Sequence, residues 1–452
     1  MPLVWPYPFV CRFSTGVIRI CLAAWDVVQS EGHYILKQET GDFMRGKDEE
    51  IISLDKAMGH IMEIEPLKTV SVPLDEAAGM VLAGPVAAHS SCPSVDSSLK
   101  DGFAVISEDI QSASPSSPVS LRVTGSVTAG ASAEGLYLEP GTAIRIMTGS
   151  PVPKGATAVV AAEFTRDVQD GSGRSVQVVA DAFPGRNILR KGEDIEEGEL
   201  LLEAGRRLEP PAIGLLAAAG VSHVQVYRLP EVVIAAVGSE LVMPGEPVRP
   251  GQIAASNMIT LRAELQKAGI HPTTVLFKDN LESLKQSFQQ LLDEYDVILT
   301  CGGVLDGDKD FTVRAMEELG VEMIFRRVRI GPGKGVCMGM RGKKLIINLP
   351  GGPPSNHVAA VVLGVPGVKR LMGNRNPFPA RVSATFHVQM KGVSQWTQFA
   401  YVKLEIKDGV FHVKHPGGRS RLMDMALSNG LAELPVGQER IDNGDRGVVW
   451  LI

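Results

Sequence analysis

Three predicted β-strands in the middle of the chain each end in a glycine-rich turn that leads into a predicted helix. The strands span 231–237, 296–300 and 344–348, and their turns are Gly238-Ser239-Glu240, Cys301-Gly302-Gly303 and Leu349-Pro350-Gly351-Gly352. Strands that alternate with helices form a parallel sheet, which binds ligands beyond the carboxyl ends of its strands. Glycine allows backbone N–H groups to approach a ligand closely, and a following helix N-terminus favours negative charge. The pattern predicts an α/β domain with a pocket for an anionic small molecule, a phosphate or another oxyanion.

Composition and charge restrict the partners and the compartment. The 452 residues are 44% hydrophobic, which allows about two to four domains with cores of their own. A net charge of -6 and the lack of a long basic run disfavour nucleic acid as a partner. Five scattered cysteines without metal-ligand spacing favour a reducing compartment over a disulfide framework.

The apolar stretch 17–28 is the strongest candidate for a membrane or export segment. It is too short to cross a bilayer, and Arg19 and Asp26 interrupt it. A signal peptide is the alternative, but no clear small-residue cleavage site follows the stretch. We therefore expect a cytoplasmic protein with no membrane partner.

Hydrophobic periodicity divides the chain into helical and β-rich segments. Helices are predicted at 50–60, 74–81 and 209–219, and Ser256 is the predicted N-cap of a further helix. Short β-type runs between Gly and Pro turns predict two small β domains, over 119–182 and 377–452. The residues before about Met44 lack sustained periodicity, so we expect either an irregular extension or a start placed too early, and in both cases a chain that stays soluble without them.

Three aspartates beside the Gly302-Gly303 turn are candidate metal ligands. Asp306, Asp308 and Asp310 alternate along the chain and offer hard oxygen ligands for Mg²⁺ next to a phosphate. An EF-hand is excluded, because Phe311 stands where that loop needs glycine. The alternative is a solvated turn in which Asp310 caps the next helix.

Other single residues carry weaker signals. Glu240 follows a strand end and is expected to face the crevice as a ligand or metal contact, or simply to be exposed. Lys334 lies in Gly-Pro-Gly-Lys-Gly and suits phosphate contact, although Gly335 rules out a Walker loop. Asp101 alone indicates no more than a turn. Cys301 has no histidine near it in sequence and is interpreted as a small buried residue.

Several separated motifs occur in the order seen in one family. They are Ser97-Ser-Leu-Lys-Asp-Gly-Phe-Ala104, Arg145-Ile-Met-Thr-Gly-Ser-Pro-Val-Pro153, Arg190-Lys-Gly-Glu-Asp-Ile195, Gly238 to Leu241, Gly251-Gln-Ile253, Ser256-Asn257, Gly302-Gly303-Val304, Gly307 to Asp310, Pro332-Gly-Lys334 and Leu349-Pro-Gly351. Over about residues 60–452 the chain resembles the molybdopterin molybdenumtransferases, the family that includes the gephyrin E domain.

The resemblance implies a multidomain α/β plus β architecture. Its four parts would be a discontinuous elongated α+β domain (50–105 and 183–229), an inserted β domain (106–182), an α/β molybdopterin-binding domain (230–373) and a C-terminal β domain (374–452). Residues 1–49 precede the matched region and are expected to be an N-terminal extension. It also implies a homodimer whose site lies between the α/β domain of one subunit and the elongated domain of the other.

The resemblance further implies the reaction and the residues that perform it. Molybdate would enter the dithiolene of adenylated molybdopterin with release of AMP, assisted by Mg²⁺. The catalytic set would be Asp101, Thr148, Asp194 and Glu240. Substrate would contact Ser239, Ser256, Gly302, Gly303, Lys334, Pro350 and Gly351, and the metal would be held by Asp306, Asp308, Asp310 and Glu240.

Departures from the family pattern cluster in the α/β pocket. The family's Ser-Gly-Gly-Val-Ser appears as Cys301-Gly-Gly-Val-Leu305, and its Leu-Pro-Gly-Asn-Pro appears as Leu349-Pro-Gly-Gly-Pro353. Two hydroxyls and one amide are thereby missing. Ser239 replaces the middle residue of Gly-Asp-Glu, and Gly335 the last of Pro-Gly-Lys-Pro. The alternatives to a transferase are a non-catalytic molybdopterin-binding or scaffold protein and a paralogue that handles tungstate.

Overall fold

The computed structural model describes residues 51–170, 173–302 and 311–452, together with the backbone of three earlier strands. The chain forms two compact units. The first comprises Met1–Thr69, Gly79–Val81 and Tyr227–Ile452, and the second comprises Val70–Ala78 and Leu82–Val226.

Eight α-helices occur in the described residues. They are α1 (Leu54–Glu63), α2 (Pro210–Ala218), α3 (Ser256–Lys267), α4 (Leu281–Glu294), α5 (Phe311–Glu318), α6 (Pro353–Ala359), α7 (Val365–Leu371) and α8 (Arg421–Leu427). A π-helical segment, Ala360–Gly364, joins α6 to α7. None of these helices is long and apolar enough to cross a membrane.

Two sequence expectations for helices are corrected. The helix predicted over 74–81 is a single 3₁₀ turn, Leu74–Glu76, because Gly79 adopts a positive φ of 79° and ends the helical backbone. Ser256 is the first residue of α3 rather than its cap, which is Ala255, and its side chain caps nothing there.

A six-stranded sheet forms the β-rich part of the second unit. Its spatial order is Ala158–Ala161, Gly102–Val105, Thr142–Ile146, Val119–Val127, Gly173–Val178 and Thr165–Asp170. The sheet confirms a β domain in this region, and its strand Gly102–Val105 begins before the expected boundary at 106. Phe103, Val105, Leu121 and Val176 bury their side chains on one face.

The first unit contains the predicted α/β sheet. Its order is Thr273–Phe277, Val232–Val237, Val297–Cys301, Lys344–Leu349, Cys337–Arg341 and Glu322–Phe325. The first four strands are parallel to one another, and Cys337–Arg341 pairs antiparallel with both of its neighbours. The prediction of a parallel sheet with helices between its strands is confirmed.

Alternate residues of the strand Val232–Val237 enter two different cores. Ile234 packs with Leu261 and Leu265 of α3 on one face. Ala235 packs with Phe288 of α4 and Met316 of α5 on the other. Because both faces are covered, every residue of this strand is buried, as parallel sheets require.

The last part of the first unit is a closed β-barrel, as a C-terminal β domain predicts. Five strands surround it in the order Thr397–Lys407, Val410–Lys414, Arg381–Phe386, Arg446–Leu451 and Gly430–Leu434, and the last pairs back with the first. Phe386 and Val449 are buried inside. Trp450 faces the α/β core instead, and its indole N–H donates to Glu433 Oε2 at 2.7 Å.

Short strands make up the remaining β structure. Thr69–Pro73 pairs with His223–Tyr227, Val86–Ala87 with Leu200–Leu202, Ser97–Ser98 with Ile188–Leu189, Leu241–Val242 with Ile253–Ala254, and Ile51–Ile52 with Arg327–Val328, while Ile330–Gly331 pairs with Thr397–Lys407.

The N-terminal extension contains three strands rather than only irregular backbone. Ile18–Ile20, Asp26–Ser30 and His33–Lys37 form an antiparallel meander. The same sheet continues beyond the last of them with the strands Gln389–Lys391 and then Arg440–Ile441. Ile35 lies opposite Gln389.

Candidate functional site

Asp101 lies in a tight turn at the start of the strand Gly102–Val105 in the second unit. Ser98 Oγ donates to Lys100 O at 2.6 Å, and the Ala162 N–H donates to Asp101 O at 2.8 Å. These bonds fix the backbone on both sides of the aspartate. The carboxylate itself is exposed to solvent.

Thr148 holds that carboxylate in one orientation. Its backbone N–H donates to Asp101 Oδ1 at 2.7 Å, and its hydroxyl donates to the same oxygen at 2.8 Å. These two bonds, the backbone bond foremost, lower the pKa of Asp101, and the nearby Arg145 guanidinium adds to the effect. The structure therefore brings together two of the four residues expected to be catalytic, with Asp101 ionised.

Gly102 is required for this arrangement. A Cβ at position 102 would lie 1.9 Å from Val160 O, so only glycine allows the two strands to pack this closely. The adjoining pocket has a volume of about 170 Å³, and Asp101, Phe103, Arg145, Met147 and Asp167 are among its lining residues.

Arg145 is a member of this pocket that sequence reasoning did not select. Its guanidinium lies 3.5 Å from Asp167, whose carboxylate is also 3.6 Å from Arg174. Two cations thus share one carboxylate beside Asp101. The only sequence signal was its place at the head of the Arg145–Pro153 motif.

Asp194 lies elsewhere in the second unit. Its N–H donates to Cys92 O at 3.1 Å, and its side chain is exposed. Within the described part of the chain, no contact joins it to Asp101. The nearby Arg190 instead pairs with Asp96 at 2.7 Å. Burial alone would raise the pKa of Asp96, but the Lys191 N–H and the Arg190 guanidinium outweigh it and lower that pKa.

In the first unit, the carboxyl ends of the strands Val232–Val237, Val297–Cys301 and Lys344–Leu349 lie next to one another, and Gly302 and Gly351 lie where they come closest. Gly302 has a φ of +88°, and a Cβ on it would lie 2.7 Å from Val237 O. Its N–H donates to Leu349 O at 3.1 Å. A Cβ on Gly351 would be 3.6 Å from Gly302 Cα, so the two turns lie side by side. The predicted juxtaposition of the Gly302 and Gly351 turns is confirmed.

Glu240 folds back over the end of its own strand. A Cβ on Gly238 would lie 2.8 Å from each Glu240 carboxylate oxygen, so glycine leaves room for the carboxylate there. Ser239 and Asp279 exchange bonds, from Ser239 N to Asp279 Oδ2 at 3.2 Å and from Asp279 N to Ser239 Oγ at 3.3 Å. Ser239 therefore joins two strand ends.

The turn that carries Lys334 packs on α6. Gly333 has a φ of +117°, and a Cβ on it would lie 3.3 Å from Ser355 O and 3.5 Å from Ala359 Cβ. Lys334 is half-buried, and its carbonyl accepts from Val328 N at 3.1 Å. Lys334 is thereby brought to the same helix that follows the Pro350–Gly352 turn.

Two asparagines that were not among the expected site residues reach this turn. Asn257 Nδ2 donates to Gly351 O at 2.7 Å, and Asn356 Nδ2 donates to Pro350 O at 2.9 Å. By contrast, no described hydrogen bond involves the hydroxyl of Ser256, the neighbouring residue predicted to bind substrate. Asn257 was visible only as half of the Ser256-Asn257 motif, and Asn356 carried no signal.

Cys301 is buried, as interpreted from sequence. Only 3% of the residue is exposed. Burial raises the pKa of its thiol to about 12, against a smaller opposing contribution from Asn356. The thiol is therefore neutral and points away from solvent.

The expected residues Gly303, Asp306, Asp308 and Asp310 lie outside the described residues. Within residues 51–170, 173–302 and 311–452, no group of three or more His, Cys, Asp or Glu side chains is placed to hold a metal ion. Among the described residues, Glu240 follows one strand end at this edge of the sheet, and Asp279, bonded to Ser239, follows the neighbouring one.

Comparison with known proteins gives consistent matches. The family model described as "MoeA N-terminal region (domain I and II)" matches residues 52–220, and that described as "Probable molybdopterin binding domain" matches residues 233–370.

Whole-chain relatives agree. A molybdopterin molybdenumtransferase 2 of Mycobacterium tuberculosis is 35% identical over 394 residues, which is 85% of this chain and 95% of the relative. A molybdopterin molybdenumtransferase of Bacillus subtilis is 30% identical over 406 residues, covering 89% and 94%. The crystal structure of a molybdopterin biosynthesis MoeA protein from Pyrococcus horikoshii superposes with a TM-score of 0.72 at 30% identity, covering 89% of this chain and 99% of that chain.

The parallel-sheet domain, the inserted β domain and the closed barrel define a multidomain protein of the MoeA fold. The chain belongs to the molybdopterin molybdenumtransferase family, as the resemblance of its motifs predicted. It is a transferase of molybdenum cofactor biosynthesis.

Proposed function

We propose that this chain inserts molybdenum from molybdate into the dithiolene of adenylated molybdopterin and releases AMP. The observation that carries the proposal is the Asp101 carboxylate, which Thr148 holds through one oxygen at 2.7 and 2.8 Å. Both bonds end on Oδ1, so Oδ2 is left to act on a reactant. A fixed and ionised carboxylate in a solvent-open pocket suits a reaction that must position an oxyanion.

The Asp101 pocket also supplies positive charge. Molybdate is a dianion, and a carboxylate repels it unless a cation or a proton lies between them. Arg145 lines the same pocket and lowers the pKa of Asp101 through its charge. We assign Arg145 to hold the oxyanion and Asp101 to orient it.

The α/β edge suits the phosphate and nucleotide part of the substrate. Gly351 is exposed and lacks a side chain, beside Gly302, whose own N–H is bonded to Leu349 O, and Lys334 is carried on the turn that packs on α6. Backbone N–H groups and lysine are common phosphate contacts. These residues would bind the substrate, whereas the Asp101 pocket would act on molybdate.

Mg²⁺ is proposed as the cofactor, held by carboxylates at the strand ends. Mg²⁺ is bound through one or two carboxylates, substrate phosphates and waters rather than by a protein cage. The exposed Glu240 carboxylate at the strand end provides one such ligand. Asp306, Asp308 and Asp310 are the expected further ligands. The bound ion would neutralise phosphate charge at this edge.

The Cys301 departure is compatible with turnover. The hydroxyl that the family has at this position is replaced by a thiol that is buried in this chain. The replacement therefore leaves the solvent-facing surface of the pocket unchanged. A protein that only binds molybdopterin remains the competing hypothesis.

One assay tests the proposal. Purified protein is incubated with adenylated molybdopterin, Mg²⁺ and molybdate, and AMP and the metallated pterin are quantified. We expect AMP release to depend on molybdate. Binding of the pterin without AMP release would support the binding-module hypothesis, and a tungstate arm would show whether the oxyanion is selected.

We further propose a cytoplasmic homodimer. The motivation is that the polar motifs lie in two distant regions of the sequence, which one subunit need not bring together. Light scattering at micromolar concentration should give twice the monomer mass of 48.4 kDa. A monomer alone would contradict the dimer.

A further inference from the structure

Two asparagine side chains hold successive carbonyl groups of the turn that follows the strand Lys344–Leu349. Asn356, on α6, donates its amide N–H to Pro350 O at 2.9 Å. Asn257, in the first turn of α3, donates to Gly351 O at 2.7 Å. Because a carbonyl oxygen only accepts, the nitrogen of each amide must face the turn. The two bonds approach from different helices and fix the turn from both sides.

Asn356 is a buried polar residue whose amide donates hydrogen bonds while its amide oxygen has no partner among the described residues. The residue is 1% exposed, and its Oδ1 has no hydrogen-bond partner among the described residues. A buried acceptor without a partner is unfavourable. An apolar side chain would avoid that penalty, so we assign the role of Asn356 to its amide N–H groups, which bond Pro350 O and lie beside the Cys301 thiol.

The helices that carry the two asparagines are themselves tied together. The buried His357, next to Asn356, has Nε2 3.3 Å from Glu264 Oε1 of α3 and Nδ1 2.8 Å from Tyr401 Oη of the barrel. Glu264 is seven residues after Asn257. The spacing between the two amide donors is therefore fixed by contacts that do not involve the turn.

Besides the two amides, the bond from the backbone Asn356 N–H to Gly352 O, at 2.8 Å, holds the turn. Gly351 and Gly352 are exposed and lack side chains, so their backbone has more freedom than any other residue would allow. Position 352 is also where the family motif has asparagine. This chain thus lacks a side-chain amide at position 352 of the turn, and the amide of Asn356 bonds to the same turn at Pro350 O.

We propose that Asn257 and Asn356 are positioning residues for the substrate-binding turn Pro350–Gly352, and that Asn356 supplies the amide that this turn lacks at position 352. The two amide bonds hold Pro350 O toward α6 and Gly351 O toward α3. They thereby orient the backbone of Gly351 and Gly352 toward the pterin nucleotide. The inference rests on the proposed function.

The structure provides a second-site test. Gly352 is the N-cap of α6 with φ −70° and ψ 128°, a backbone that asparagine adopts readily at helix N-caps. A Cβ there would have Ser355 Oγ as its nearest neighbour, at 3.8 Å. Gly352→Asn therefore fits, and it returns an amide to the turn.

The experiment measures the Kd and the steady-state KM and kcat for adenylated molybdopterin in five proteins: wild type, Asn356→Ala, Asn257→Ala, the double variant Gly352→Asn/Asn356→Ala, and Asn429→Ala. Asn429 is a matched control that is remote in sequence from the turn. Its amide accepts from Leu404 N at 2.6 Å and donates to Leu404 O at 3.0 Å, both in the barrel. Melting temperatures are recorded for all five.

We expect Asn356→Ala and Asn257→Ala to raise Kd and KM about tenfold with a much smaller change in kcat, because a displaced turn loses binding common to ground and transition states. The double variant should recover to within about threefold of wild type. Asn429→Ala should lower the melting temperature with unchanged Kd.

Several results would overturn the inference. Wild-type Kd in both single variants would remove the positioning role, and an equal rise of Kd in Asn429→Ala would show a general effect of lost stability. If Gly352→Asn gave no recovery, Asn356 would not substitute for an amide at 352. If Asn356→Ala does not fold, the half-buried Asn257→Ala decides the positioning role. A wild-type protein that never binds the pterin would refute the proposed function, and the inference with it.

Discussion

Thr148 donates both its backbone N–H and its hydroxyl to a single oxygen of Asp101, at 2.7 and 2.8 Å. The two donors stabilise the carboxylate form, and the pKa of Asp101 is lowered accordingly. A carboxyl with a lowered folded-state pKa contributes stability above its unfolded pKa, and that contribution is lost as pH falls through the folded value. Asp101 is therefore charged throughout the neutral range, and its free oxygen Oδ2 keeps a defined direction.

Asp101→Asn should lower molybdenum insertion by well over tenfold, a barrier increase of more than about 1.4 kcal/mol. Asparagine keeps the size and removes the charge. Pterin binding should stay near wild type, because the residues proposed to bind it are Gly302, Lys334 and Gly351. Asp181→Asn, an exposed residue of the same unit that does not line the pocket, is the matched control for a general loss of negative charge. Insertion at the wild-type rate in Asp101→Asn, measured by metallated product, would contradict the assignment.

Thr148→Val should move the acid limb of the pH profile of kcat/KM to higher pH. The variant loses the hydroxyl donor but keeps the backbone donor, so the pKa of Asp101 rises part of the way toward its ordinary value. Since the proposed activity needs the ionised carboxylate, the activity is then lost at a higher pH than in the wild type. Thr148→Ser retains a hydroxyl and should keep the wild-type profile. If the acid limb does not move in Thr148→Val, the group whose ionisation produces that limb is not Asp101.

The α/β architecture was predictable because it depends on local patterns. Continuous apolar runs such as Val232–Val237 are typical of strands buried on both faces, and the glycine turns mark where they end. The helices between them carry apolar residues at helical spacing. Those features fix a parallel sheet and hence the edge at which Gly302 and Gly351 meet.

Side-chain partners across the fold were not predictable in the same way. Asn257 and Gly351 are 94 residues apart, and their bond depends on how α3 packs on the sheet. The Arg145–Asp167 pair likewise joins two strands of a β domain whose order, 158–161 beside 102–105, no sequence pattern specifies. The N-terminal strands were missed because runs of three to five residues are too short to show a period.

Gly302→Ala should lower the free energy of unfolding by about 2 kcal/mol or more. A positive φ costs a residue with a Cβ roughly 1–2 kcal/mol, and the contact of 2.7 Å with Val237 O is backbone that cannot move aside. Gly351→Ala is the matched control in the adjoining turn, where the nearest neighbour lies at an ordinary 3.6 Å. It should change stability by no more than about 0.5 kcal/mol. Denaturant unfolding measures both, and equal stabilities in the two variants would contradict the role of Gly302.

Binding of the pterin nucleotide should depend on Mg²⁺ and on carboxylates at the strand ends. Glu240→Gln and Asp310→Asn each remove one proposed ligand charge and should weaken Mg²⁺-dependent binding about tenfold or more. The melting temperature should change little for Glu240→Gln, because the side chain is exposed. Asp279→Ala is a useful comparison: the Asp279 carboxylate accepts from the Ser239 N–H, so its removal disturbs the same turn without removing a proposed ligand. Titrations with and without Mg²⁺ separate the two effects, since only a ligand variant loses the difference in affinity between the two conditions.

Equal affinity of the wild type with and without Mg²⁺ would remove the metal role from Glu240, Asp306, Asp308 and Asp310 together. Binding would then be left to the glycine turns and Lys334.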